Sequence, residues 1–300
     1  MLVVLSSAWH QRSGFIANEK YFETLTAKFK STGMTRNFKG TATIFICLLL
    51  LSGKSLGQQL NFHIGKRDSI QSAVLNENRK FIVHLPNEYD TSTKSYPILY
   101  LLDGSENWLL FNISLLNYYF KKDIIIVAIE NTDRDRDMMP ISTPSYPVKN
   151  PGADNFLSFI RDELMPFAEK GIRTNGQRMV SGKSLSGVFT LYALLKQPQL
   201  FDIYIANSVG WFADMEYFFL PIVDKAFQNV EKYSGKRIFF ANSENDNQEV
   251  LKSMKTFSKK ISDRLGRQVN YRYETYNKFG HVPYPAYYDA MKFIFDSGKN

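Results

Sequence analysis

Ser184 sits in Gly182-Lys183-Ser184-Leu185-Ser186-Gly187, between a brief strand pattern over 178–181 and a helical pattern over 184–196. A serine at a strand-to-helix turn, with small residues two places before and after it, is the pattern of a nucleophile elbow. The strained turn lifts the hydroxyl clear, and small neighbours let strand and helix approach. A plain helix cap is the competing reading of Ser184. Gly182-Lys183-Ser184 also matches the end of a phosphate-binding loop. That loop needs a glycine at Gln177 and exposed backbone at 178–180, where the residues read as strand, so nucleotide binding is rejected.

A serine nucleophile needs a base. The histidines are His10, His63, His84 and His281. His63 and His84 fall in the first two extended segments and read as structural. His281 follows a strand pattern at 269–275 through Lys278-Phe279-Gly280, just before the last helix, and is the expected general base. The chain order serine, acid, histidine places the acid after the strand at 237–241. Glu244 is the first choice, Asp246 the second and Asp214 the third; Glu244 and Asp246 also suit capping of the helix near 248. The oxyanion hole needs two donors, expected as the N–H groups of Leu185 and of Ser105 in the loop Gly104-Ser105-Glu106-Asn107.

The elements that must position these residues alternate along the chain. Two extended segments, 62–75 and 79–85, meet at Asn76-Glu77-Asn78 and predict an antiparallel edge. Strand patterns at 96–103, 124–129, 178–181, 203–207, 237–241 and 269–275, the first two of them apolar runs, alternate with helical spacing at 108–120, 154–170, 184–196, 214–230, 248–264 and 285–296. Strands apolar on both faces predict a mainly parallel sheet with helices on both sides, an α/β fold. The stretch 131–154 holds four prolines and Arg134-Asp135-Arg136-Asp137 and reads as an irregular loop. That loop, with Trp108 and Trp211, is the expected substrate wall.

Composition sets the limits. Of the 300 residues 44% are hydrophobic and 22% charged, enough apolar material for one large core; the 15% aromatic share suits either a packed core or a lined cleft. The net charge of +8 suggests nucleic acid, but residues 1–57 carry +5 of it and the remainder shows no basic stripe. The front reads as a targeting signal. Arg36 and Lys39 precede an apolar run over 43–51, and small residues at Ser55 and Gly57 suit cleavage before Gln58. The run is too short to span a bilayer, which takes about 20 residues. The expected organisation is therefore 1–57 as an upstream extension plus signal peptide starting at Met34, then 58–300 as a single catalytic domain, exported to the periplasm or medium. The alternative is an N-terminal extension that anchors through 43–51. The single cysteine, Cys47, lies in the apolar run, so the mature chain is expected to use neither disulfides nor thiol catalysis.

The chain resembles the esterase branch of the α/β-hydrolases that includes enterobactin and salmochelin esterases and is related to S-formylglutathione hydrolases. The matching pieces are Tyr96-Pro97-Ile98-Leu99-Tyr100-Leu101-Leu102-Asp103-Gly104, the segment from Asn131 through Pro140, the Ser184 turn and Phe279-Gly280-His281, spanning roughly residues 60–297. The resemblance implies an α/β-hydrolase fold, Ser184 and His281 as catalytic, and an acid near Glu244. Two positions depart from it: Lys183 stands where the group usually has His, and Ser186 where it usually has Gly. Lys183 is read as a solvated surface lysine rather than a contact for an anionic substrate. The expected activity is hydrolysis of a carboxylic ester through an acyl-enzyme, on a siderophore lactone, an acylated carbohydrate or a feruloyl ester. No metal or cofactor, no nucleic acid and no stable membrane insertion are expected. The rivals are a non-catalytic binding protein on a hydrolase scaffold and an acyltransferase using the same residues.

Overall fold

A computed structural model of the chain describes residues 64–209 and 215–295, the side chains of 215–218 excepted. Met34, Cys47, Gln58, His10, His63, Trp211 and Asp214 lie outside the described residues.

Eight strands form one mixed sheet: β1 (Lys66–Ser72), β2 (Glu77–His84), β3 (Tyr96–Leu101), β4 (Ile125–Ile129), β5 (Thr174–Lys183), β6 (Ile203–Asn207), β7 (Arg237–Ser243) and β8 (Asn270–Tyr276). Their order across the sheet is β1-β2-β4-β3-β5-β6-β7-β8. β1–β2 and β2–β4 are antiparallel, and every other pair is parallel. The antiparallel edge thus forms as expected. Asn76 takes the left-handed conformation (φ 52°) that the tight β1–β2 turn requires.

The helices that bear on the site and the core are α1 (Glu106–Ser114), α2 (Arg134–Met138, a single turn and a half), α3 (Ala153–Phe159), α4 (Leu185–Lys196), α5 (Met215–Ala226), α6 (Gln248–Leu265) and α7 (Pro285–Phe295). Alternate strand residues feed two cores. Ile98, Tyr100, Val180, Tyr204, Ile238 and Phe240 pack with Phe156, Phe189 and Phe257 from α3, α4 and α6. Leu99, Leu101, Met179, Ile203, Ile205 and Phe239 pack on the other face with Trp108, Tyr287 and Met291 from α1 and α7. Burial on both faces is why these strands read as unbroken apolar runs rather than alternating ones.

The region 131–154 departs from the expected loop. Asp133 caps α2 by accepting the N–H of Arg136 (3.1 Å), and Met138 and Met139 are buried behind it. Each charge of the cluster has its own partner. Arg134 holds Asp103, Asp135 accepts from Tyr146 (2.7 Å), Arg136 holds Glu77 (2.6 Å), and Asp137 accepts from the fully buried Arg79 (2.5 Å). Burying a guanidinium is costly unless carboxylates neutralise it, and Glu77 and Asp137 do so here. This segment is pinned to β2 and to the loop after β3 by ion pairs that a pattern of polarity does not reveal.

Candidate active site

β5 ends at Lys183 and α4 begins at Leu185, leaving Ser184 alone at the turn with φ 55°, ψ −122°. Such a conformation is strained for any residue with a Cβ and persists only when its surroundings fix it. Ser184 N–H donates to Asn207 O at the end of β6 (2.8 Å), and Ser184 O accepts from Val188 N–H (3.1 Å). The Ser184 hydroxyl makes no capping bond to α4, so the helix-cap reading does not describe it. Gly182 is needed for this turn: a Cβ there would lie 2.2 Å from Ser186 O and 2.7 Å from Thr190 Oγ1.

The turn aims Ser184 Oγ at His281 Nε2, 3.0 Å away, and His281 Nδ1 lies 2.8 Å from Asp246 Oδ1. An ionised carboxylate only accepts, so it fixes the proton on Nδ1 and leaves Nε2 to accept from the serine. Burial alone would raise the Asp246 pKa, but bonds from His281, Asn242 and the Ser243 N–H outweigh it and hold the carboxyl below its ordinary range. The Asp246 side chain is 6% exposed and His281 41%, so the acid is shielded while the base stays within reach of a substrate. The histidine loop is tied at two points. Phe279 O accepts from Ser243 Oγ and Asn245 Nδ2 (both 2.7 Å), and Val282 N–H donates to Ser208 Oγ (2.8 Å).

The structure differs from four expectations about this site. The carboxylate on His281 is Asp246, not Glu244. Glu244 N–H extends the β7–β8 ladder to Tyr276 O (3.0 Å), and its exposed carboxylate faces Thr275 Oγ1 (3.4 Å). The next residues turn back, with Asp246 N–H donating to Ser243 O (3.0 Å), and that turn carries the shorter acid toward the histidine. The Ser105 N–H is not open to a carbonyl oxygen, because it donates to Asp103 O (2.7 Å). Leu185 N–H does stand at the first position of α4, where a helix supplies no acceptor. Lys183 is no solvated surface lysine: it is half-buried, with Nζ 3.7 Å from the centre of the Trp108 ring. Burial lowers its pKa. Trp108 itself is packed against Phe111 and Tyr287 rather than open as a wall.

Two further groups were not singled out from the sequence for a role. Asp103, at φ 54°, accepts from Asn131 Nδ2 (2.7 Å), from Arg134 in a two-pronged grip (2.7 and 2.9 Å) and from Ser186 Oγ (2.7 Å). Burial opposes its ionisation, and these donors overcome that and keep its pKa low. Ser208, also at positive φ (51°), supplies the acceptor for Val282. Neither has a sequence signal beyond its place at a strand end. His84, in β2, binds Ile64 O through Nδ1 (2.9 Å), consistent with a structural role. Among the described residues no group of three or more His, Cys, Asp or Glu is gathered to hold a metal ion.

The sheet order, the elbow and the hydrogen-bonded Ser184–His281–Asp246 line define an α/β-hydrolase fold, and solved structures of that fold superpose on it. The model of the Putative esterase family matches residues 72–282, and the chain belongs to that family. It is similar to an IroE-like serine hydrolase from Shewanella oneidensis, with a TM-score of 0.70 and 27% identity over 79% of this chain and 81% of that one. Among curated proteins it is 29% identical over 144 residues to a siderophore enterobactin esterase of Emericella nidulans, covering 40% of this chain and 48% of the relative. It is 27% identical over 157 residues to the ferri-bacillibactin esterase BesA of Bacillus subtilis, covering 44% and 54%. The chain thus spans about half the length of the curated relatives it matches.

Proposed function

We propose that the chain is a serine esterase that cleaves a carboxylic ester through an acyl-enzyme. The observation that carries this is the continuous line from Ser184 Oγ through His281 to Asp246, at 3.0 and 2.8 Å. His281 Nε2 takes the serine proton as Oγ attacks the ester carbonyl, and Asp246 steadies the imidazolium that forms. The histidine then gives that proton to the departing alkoxide as the C–O bond breaks. Water repeats the sequence, attacking the acyl-enzyme while its proton passes to His281 and on to Ser184. Leu185 N–H faces the developing oxyanion. The Ser105 N–H joins it only by giving up Asp103 O. A non-catalytic binding protein would have no need of a strained, uncapped serine aimed at a histidine.

The curated relatives named above are a siderophore enterobactin esterase and a ferri-bacillibactin esterase, so a siderophore lactone is the first substrate to try, followed by acylated carbohydrates. An open cavity of about 490 Å³ lies beside Asp103 and Ser105, rimmed by Arg67, Glu106 and Glu130; neither Ser184 nor His281 lines it. Export is part of the proposal and rests on the apolar run at 43–51. No helix among the described residues is long and apolar enough to cross a membrane. The test is Ser184→Ala: hydrolysis of p-nitrophenyl acetate falls to background while circular dichroism stays that of the parent. Activity above a trace in that variant would refute the nucleophile.

A further inference from the structure

Ser186 occupies the place two residues after the nucleophile, and the reason for a hydroxyl there lies in what it touches. It is fully buried. Its Oγ accepts the N–H of Lys183 (2.7 Å) and lies 2.7 Å from Asp103 Oδ2 and 2.8 Å from Lys183 O. One hydroxyl carries one proton, and the ionised carboxylate is the stronger acceptor. Asp103 meanwhile receives Asn131 and Arg134 from the chain after β4. Arg134 also reaches Lys183 O (3.3 Å). One carboxylate therefore gathers three loops: its own after β3, the one after β4, and the nucleophile turn.

Two residues with side chains at positive φ, Asp103 and Ser184, flank this junction. Strained backbone of this kind holds only where several bonds fix it together. The Leu185 N–H adjoins Ser186, and Ser105 is two residues from Asp103. The bond from Ser186 to Asp103 consequently ties the segment that carries the Leu185 N–H to the loop after β3.

We infer that Ser186 is a positioning residue: its hydroxyl, joining the Lys183 N–H to the Asp103 carboxylate, fixes the nucleophile turn against the loop after β3. The inference rests on the serine-esterase reading. Glycine at this position would leave Lys183 N–H without its acceptor and Asp103 short of one donor. A turn free to drift by part of an ångström loses rate more than binding, because the geometry matters most as the carbonyl becomes tetrahedral.

The experiment measures kcat and KM for p-nitrophenyl acetate in the parent, Ser186→Ala and Ser186→Gly, per folded molecule as counted by near-ultraviolet circular dichroism. The expected result is a kcat lowered about 10- to 100-fold with KM within about threefold. Inactivation by a fluorophosphonate slows by a similar factor, and the pH midpoint stays put because the histidine is untouched. A merely structural role would lower the melting temperature and leave kcat per folded molecule intact; kcat within twofold of the parent in both variants overturns the inference. Should neither variant fold, Arg134→Lys loosens the same carboxylate from its other side. It must then show the same split between kcat and KM, and an unchanged kcat overturns the inference as well. A parent that hydrolyses no ester overturns the esterase reading and this role together, whereas an active parent with unaffected variants removes this role alone.

Discussion

The proposed assignment of Asp246 as the acid rests on single atoms. Asp246 offers Oδ1 to His281, while Oδ2 is filled by Asn242 Nδ2 (3.0 Å) and Ser243 N–H (3.1 Å). Glu244 shares the loop but makes none of these contacts. Asp246→Asn should therefore lower kcat by about 10²- to 10⁴-fold, because an amide presents the wrong partner to Nδ1–H or permits the wrong tautomer. Glu244→Gln should stay within about twofold. Steady-state kinetics on one chromogenic ester decides between them, and the reverse ranking would return the acid to Glu244. The nearness of Ser184 and His281 is legible in the sequence, because glycines and turn residues mark both positions at strand ends. The choice between two acids two residues apart is not. It depends on a turn closed by the Asp246 side chain on the Ser243 N–H, and Ser-Glu-Asn-Asp spells such a turn no more clearly than several others.

At the scale of elements, strands were easier to read than what joins them. The buried parallel strands appear as apolar runs because both faces are covered, whereas α2 has only five residues and stands among prolines. Ion pairs tie it to β2 and to Asp103 after β3, which lie far away in sequence, so no local pattern announces it. The strand-to-helix joint makes a sharper prediction. Gly182→Ala puts a methyl group 2.2 Å from Ser186 O, which is backbone and cannot step aside. The variant should lose about 3 kcal/mol of stability or more, or fail to accumulate as folded protein. Urea titration of the purified variant checks this. An unchanged midpoint would mean that α4 can slide away from β5, contrary to the packing seen.

For the whole molecule, the electrostatic pattern sets its response to acid. Asp103 and Asp246 both sit below the ordinary aspartate pKa of 3.8, and Glu77 and Glu169 below the ordinary glutamate value of 4.5. In Glu77 the bond from Arg136 leads. In the other three burial works the opposite way and is outweighed by their donors. Each binds its proton more weakly folded than unfolded. Their stabilisation is complete at neutral pH, begins to fade near pH 4.5 and is lost as pH falls through the folded values. Urea midpoints should hold steady from pH 7 to 5 and drop below about pH 4. A midpoint that rises between pH 5 and 3 would contradict the assignment.

β8 lies at the rim of the sheet and is paired on one side only, with β7. The chain that leaves it carries His281, whereas Ser184 stands over the middle of the sheet, where β5 has a neighbour on each side. The proposed proton acceptor therefore hangs from an edge strand and its partner from an interior one. Fraying of that rim would part them while most of the core stayed packed. Warmed gradually, the molecule should stop turning over before its helical signal fades, and brief cooling should restore it.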